Sequence, residues 1–325
     1  MQAAAAKRII ESFKDLPVLV IGDVMLDSYI WGSVDRISPE APVPVVRVKN
    51  RDLRLGGAAN VALNLQSLGA IPTVCALIGR DDAGSKLKEL FGARKLPTVG
   101  LVESASRPTT IKTRVIASHQ HVVRVDEESD AESTDEEVEQ LWRAIEPILR
   151  KSRAVIFEDY DKGSINPALI EKTVSLANQL GIPTIVDPKR RNFLAYKNVT
   201  LFKPNLKELR EGLKRDVSGA NPTDVRSAVG QLMNEINAGV MVTLSEHGVY
   251  INYRGEEAQL PAHPREIADV SGAGDTVVSI AGLCVALGLP AADIAYLSNL
   301  GGGLVCQHVG VVPIGKEELI SETGS

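Results

Sequence analysis

Apolar and polar positions along the chain follow two alternating rhythms. Short runs rich in β-branched residues, PVLVIG (17–22), TVCALIG (73–79), AVIFED (154–159), PTIVD (183–187), VTLFKP (199–204) and GVMVTL (239–244), predict strands. Between them, apolar residues at helical spacing predict helices over 57–69, 83–91, 136–150, 167–180, 205–212, 223–237, 272–288 and 292–308. This alternation predicts an α/β fold with a mainly parallel central sheet covered by helices on both faces.

Two segments break the rhythm. Around 27–50 and 108–126 the chain alternates without an intervening helix, as in VPVVRVK, TTIKTRVIAS and HVVRVD. These segments predict a small antiparallel sheet set apart from the main one, a β lid. The acidic run DEESDAESTDEEVE (126–139) reads as a solvated loop leading into a helix whose start favours carboxylates. With no linker and no internal repeat, residues 1–325 are expected to form a single domain.

Composition narrows the classes. A net charge of −5 argues against nucleic acid as a main partner. MQAAAAKRIIESFKD at the amino end has the mixed pattern of a surface helix, and the uncharged stretch 276–292 contains Gly282, Gly288 and Pro290, so a buried helix is expected there and no membrane span. Cys75, Cys284 and Cys306 lie in apolar stretches without CxxC spacing, and all three are expected to be buried and reduced, as in a cytoplasmic protein.

Chemistry concentrates in DVSGAGD (269–275), which opens an apolar helical pattern. Gly272, Ala273 and Gly274 at a helix start leave backbone N–H groups uncovered, an anion hole, and Asp275 stands at its mouth. A carboxylate there suits a general base taking a proton from a hydroxyl that attacks a phosphoryl group; a plain capping loop is the alternative. In LGGAANVALNLQSLGA (55–70), Gly56 and Gly57 allow close backbone approach, and Asn60 has the bifunctional amide that polyol recognition needs or that a helix cap uses.

Other near-motifs fail. GVVPIGKE (310–317) has Glu317 where a P-loop needs Ser or Thr, and Pro313 interrupts it. His119, His121, His247, His263 and His308 form neither a metal spacing nor an HxGH pair. Val277 stands where a dinucleotide-binding fingerprint needs its third glycine, which excludes a nicotinamide oxidoreductase.

LGGAANVA, KPNLKE (Lys203 to Glu208) and DVSGAGD, in this order and spacing, resemble the ribokinase/PfkB family of sugar kinases across nearly the whole chain. The resemblance implies a ribokinase-like fold, ATP as donor and Mg²⁺. It gives Asp275 the role of base and has Gly272, Ala273 and Gly274 hold the transferring group. Asn205 and Glu208 match a motif that supports the metal through water. Lys203, Asn205, Glu208, Thr243, Ser245, Gly248 and Asn299 would surround the nucleotide. K⁺ is left open, because sequence does not give carbonyl directions, and a homodimer paired through the lids is expected.

Within the family, GDVMLDSYIWGSVDRISPEAPVPVVRV (22–48), QHVVRVD (120–126), EDYDKG (158–163) and VDPKR (186–190) are similar to the kinases that phosphorylate D-glycero-D-manno-heptose 7-phosphate at O1, an early step toward ADP-heptose and lipopolysaccharide. By this likeness Asp27 would bind sugar hydroxyls with Gly56, Gly57 and Asn60, and Asp187 and Lys189 would lie near the phosphates. The 7-phosphate would be gripped by cations from among Lys112, Arg114, Arg124, Lys162, Lys189 and Arg190. Ser245 stands where many members have glycine, and Ile280 replaces a usual small residue. Without HxGH, no nucleotidyltransferase domain is expected. The rivals are a kinase for ribose or fructose and a non-catalytic sugar or nucleotide sensor.

Overall fold

The computed structural model describes residues 2–117, 120–262 and 266–323; His119 and His263 lie outside them. The chain runs α1 (Ala3–Glu11), β1 (Pro17–Gly22), β2 (Val24–Ile37), β3 (Pro44–Gly57), α2 (Ala58–Ser67), β4 (Ile71–Gly79), α3 (Asp82–Ala93), β5 (Leu101–Ser104), β6 (Thr110–Ala117) and β7 (Gln120–Glu127). It continues with α4 (Asp135–Leu149), β8 (Ala154–Glu158), α5 (Pro167–Leu180), β9 (Thr184–Asp187), β10 (Leu201–Phe202), α6 (Leu206–Leu213), α7 (Pro222–Ile236) and β11 (Gly239–Thr243). Last come β12 (Val249–Tyr253), β13 (Glu256–Leu260), α8 (Ala273–Ala286), α9 (Ala291–Val305) and α10 (Lys316–Glu322).

Nine strands form the main sheet in the order β13-β12-β11-β10-β9-β8-β1-β4-β5, parallel except for the antiparallel β12 and β13 at one edge. Strand alternation splits the core into two layers. Val18, Val20 and Ile156 point to the side covered by α2, α8 and α9, whereas Leu19, Ile21, Val155 and Phe157 point to the side covered by α4, α5 and α7. The strand order reverses between β1 and β8, and the crevice at the carboxyl ends of strands flanking such a switch is where an open α/β sheet binds ligands.

The lid is a separate four-stranded sheet in the order β3-β2-β6-β7, in which β2 runs antiparallel to β3 and parallel to β6. Only Asp23 separates β1 from β2, so one extended run leaves the core sheet and enters the lid; β3 returns at once into α2. Gly57 makes that return possible. Its φ of 60° and ψ of −135° lie where only glycine is comfortable, and a Cβ would meet the Asp23 carbonyl oxygen at 2.3 Å.

Expected elements differ from observed ones in a few places. VTLFKP contributes only the two-residue β10, because the turn leading to α6 takes over at Lys203. The β12–β13 hairpin, β5 and α10 add to the predicted set. All three cysteines are free, but Cys306 is half-buried rather than buried, since the chain leaving α9 borders a cavity. The acidic run leads into α4 as expected, with Thr134 and Glu137 forming a reciprocal capping box. Among the described residues, no helix is long and apolar enough to cross a membrane.

Candidate active site

Helix α8 starts without a side-chain cap, as do α2 and α9 packed against it. Helices α3, α4, α5, α6 and α7 each begin with a side chain accepting from a backbone N–H, but α8 begins at Gly272, with φ 81° and no side-chain cap. Of its first amides, that of Ala273 reaches the Val270 carbonyl at 3.3 Å, and those of Gly272 and Gly274 meet no side-chain cap, which leaves this helix start open to an anion. Asp275, in that first turn, is 5% exposed. Its Oδ2 accepts from Asn60 Nδ2 at 2.6 Å and its Oδ1 from the Tyr160 hydroxyl at 3.0 Å. Burial pushes the carboxyl up to about 6, assisted by the charge of Asp187 and opposed by the hydrogen bonds from Asn60 and Tyr160 and by Lys203.

Carboxyl ends of the switch-point strands bring further charge to the same place. Glu158 ends β8 and Asp187 ends β9. Lys203, 2% exposed, reaches Asp187 Oδ2 at 2.9 Å. Burial disfavours its charge, but Asp187, Glu208 and Glu158 together hold the ammonium above its usual value. Glu158 is driven well up, first by burial and then by Asp187 and Asp275, and its Oε2 has no hydrogen-bond partner. Lys189 Nζ contacts Glu208 Oε1 at 2.5 Å and lies over the Tyr160 ring at 5.3 Å from its centroid.

Beyond Asp275 opens a cavity of about 780 Å³ whose walls include Gly272, Ala273, Gly274, Asp187 and Lys189. Lys203, Asn205, Glu208, Thr243, Ser245, Gly248 and Asn299, the whole expected nucleotide set, also border it. Ser245 adopts φ 54°, the left-handed conformation that explains why glycine suits this position. The bulk of Ile280 is accommodated by Gly301, where a Cβ would come within 2.2 Å of Ile280 Cδ1.

Asn205 and Glu208 cap α6 reciprocally: Asn205 Oδ1 accepts from the Glu208 N–H at 2.9 Å, and Glu208 Oε2 from the Asn205 N–H at 2.8 Å. With Glu208 Oε1 taken by Lys189, these side chains fit a metal only through water. Among the described residues, no group of three or more His, Cys, Asp or Glu could enclose an ion. That donor set suits Mg²⁺, which keeps several waters and takes most direct ligands from phosphates.

On the lid side, Asp27 in β2 is buried and paired with Arg114 of β6. Gly56 packs against it, since a Cβ there would meet Asp27 Oδ2 at 2.2 Å. Arg54 and Arg114 both lie over the Tyr29 ring, 4.9 and 5.4 Å from its centroid, and border a small cavity with His121 and Ser271. Lys112 and Lys162 are held elsewhere, on the two carboxylate oxygens of Glu128 at 2.9 and 2.7 Å, with Asp126 also beside Lys112. Arg124 is exposed and paired with Asp126, and Arg190 is exposed. Tyr160, Glu158 and Arg54 join the site without having been singled out from sequence; EDYDKG at the end of a strand beside the switch point is the signal that marks the first two.

The family model for pfkB family carbohydrate kinase matches residues 16–317. The bifunctional protein HldE of Syntrophotalea carbinolica is 40% identical over 98% of this chain, which spans 65% of that relative's length. HldE of Caulobacter vibrioides is 41% identical over 95% of this chain and 63% of its own. Among solved structures, phosphofructokinase-2 from Escherichia coli in complex with fructose-6-phosphate aligns with a TM-score of 0.76 at 21% identity, covering 96% of this chain and all of the other. Arabidopsis thaliana ribokinase complexed with ribose and ATP aligns with a TM-score of 0.73 at 18% identity, covering 96% of this chain and 99% of the other, a likeness of fold. With the match running from the first strand of the main sheet into α10, the chain belongs to the pfkB family of carbohydrate kinases.

Proposed function

We propose that this chain transfers the γ-phosphoryl group of ATP to O1 of D-glycero-D-manno-heptose 7-phosphate, giving the 1,7-bisphosphate and ADP. The observation that carries the reading is the position of Asp275, buried between the large cavity and Asn60 at the foot of the lid, beside uncapped helix amides. The heptose substrate is supported by the extent of the likeness to HldE proteins, of which this chain spans about two thirds.

In this reading the sugar lies beneath the lid with its O1–H facing Asp275, and the nucleotide fills the cavity. Asp275 takes the O1 proton as the new O1–P bond forms, and the bond from the γ-phosphorus to the β-γ bridging oxygen breaks with its electron pair leaving on ADP. The start of α8 at Gly272, Ala273 and Gly274 holds the transferring group. Lys189 sits on the phosphate side, and Lys203 keeps the carboxylates around it from repelling the nucleotide. Asn205 and Glu208 would hold Mg²⁺ through water, and the ion would supply charge neutralisation to the phosphates. Arg114, already over Tyr29 beside the sugar site, is the best-placed of the candidate cations for the distal phosphate. Closure of the lid excludes water from the transfer.

The test is ADP release over a panel of sugars and sugar phosphates, in sodium and in potassium buffers. Turnover on heptose 7-phosphate, with a new phosphate on O1, supports the reading. Turnover only on ribose or fructose derivatives favours the rival kinase, and ligand binding without turnover on any member favours a sensor.

A further inference from the structure

The base has a second-tier support that the phosphoryl-transfer chemistry does not require. Tyr160 lies two residues past the end of β8, and its hydroxyl donates to Asp275 Oδ1 at 3.0 Å, while Asn60 holds the other oxygen. With one donor on each oxygen, the carboxylate plane is fixed and only the remaining lone pairs face the cavity. The Tyr160 hydroxyl is reliably a donor: burial first, then Asp275, Glu158 and Asp187, hold its pKa well above the ordinary phenol.

The loop bearing Tyr160 is itself anchored. Asp23, the one residue between the main sheet and the lid, accepts from three backbone N–H groups of that loop: Tyr160 at 2.9 Å and Lys162 at 3.0 Å on Oδ2, and Ser164 at 3.0 Å on Oδ1. A buried carboxylate with three amide donors is a strong and geometrically exacting contact. It ties the loop to the point where β1 becomes β2, the root of the lid.

We propose that Tyr160 is a positioning residue for Asp275, fixing the carboxylate and favouring its ionised form, and that Asp23 acts through it by locking the 160–164 loop. The inference rests on Asp275 being the base. The groups acting on Asp275 are Asp187 from the end of β9, which raises its pKa, and Asn60, the Tyr160 hydroxyl and Lys203 after β10, which lower it, while Glu158 at the end of β8 is itself raised by Asp275. Removing the hydroxyl therefore moves the protonation of Asp275 to higher pH.

The experiment is the pH profile of kcat for Tyr160→Phe. The expected result is a KM for ATP within about twofold of the parent, an acidic limb displaced upward by about one pH unit, and hence a kcat lowered about twofold at pH 7 and close to tenfold at about pH 5, with the two profiles converging at high pH. An acidic limb that stays in place overturns the inference even if kcat falls, because a merely structural tyrosine lowers the rate alike at every pH. Should Tyr160→Phe fail to fold, Asp23→Asn is read in the same way. It keeps the hydroxyl but weakens the loop anchor, so an upward displacement supports the inference. A limb that is unmoved or displaced downward, the direction that simple loss of a negative charge gives, overturns it. Asp275→Asn measured alongside separates the two levels: retained turnover removes the base and this inference with it, whereas lost turnover beside a wild-type profile for Tyr160→Phe removes this inference alone.

Discussion

Asn60 and Asp275 lie 215 residues apart in sequence and share a 2.6 Å hydrogen bond. One belongs to the helix that follows the lid, the other to the helix that opens the anion hole, so the contact joins the sugar side of the site to its phosphoryl side. Asn60 Oδ1 is buried and has no partner. The amide thus gives its donor to the base and leaves an acceptor in reserve.

Asp275 should cost the fold stability at neutral pH. Its pKa is about 6 in the folded chain against the ordinary aspartate value of 3.8, so between these values the folded state binds more protons than the unfolded one, and stability falls as pH rises through that window. Asp275→Asn removes the penalty, and rotation of the Asn60 amide would let its free oxygen face the new side-chain donor. Urea unfolding should show a gain on the order of 1–3 kcal/mol for the variant at about pH 7.5 and little difference at about pH 4. The same difference at both pH values would place the carboxylate in water.

Lys203→Met should be among the most damaging single changes. The ammonium is buried against Asp187, with Glu158 and Glu208 in the same field, and its loss strands negative charge in a dry site. The expected loss is about 3–5 kcal/mol in denaturant unfolding. Adding Asp187→Asn should recover part of it.

Gly57→Ala tests the hinge between lid and core. The added Cβ meets the Asp23 carbonyl oxygen at 2.3 Å, in a backbone conformation closed to alanine. We expect a loss of roughly 3 kcal/mol or more, seen as a lowered Tm. The control Gly92→Ala, in α3 with open space around it, should be neutral or slightly stabilising.

Arg114→Met should raise KM for a phosphorylated sugar about tenfold or more while leaving KM for ATP unchanged. Lys112→Met should do much less, because that ammonium is held on Glu128 and Asp126 and does not border the lid cavity that Arg114 lines beside Tyr29. Steady-state titration of each substrate in turn distinguishes the two.

The parts of this molecule legible in the sequence are those set by local rules. β1, β4, β8, β9 and β11 are buried apolar runs, and the lid strands alternate, so both sheets could be read from periodicity. GAG before an apolar helix marked the uncapped start of α8 for the same reason. Partnerships formed across the fold were not legible. Lys112 and Lys162 look like free cations in sequence, and only the folding of the 120–128 segment beside them brings Glu128 between the two. Tyr160 and Asp23 lie in family-like segments, EDYDKG and GDVMLDSY, but their partnership does not show there; what unites them is the crossing of β1 into the lid beside the end of β8, which is a property of the topology.

The central claim is that Asp275 accepts the proton of the attacking hydroxyl. Single-turnover phosphoryl transfer by Asp275→Asn, with ATP binding and fold verified on the same sample, tests it most directly. A rate lowered by about 10²–10⁴-fold with ATP affinity retained is the predicted result. Transfer at the parent rate would contradict it.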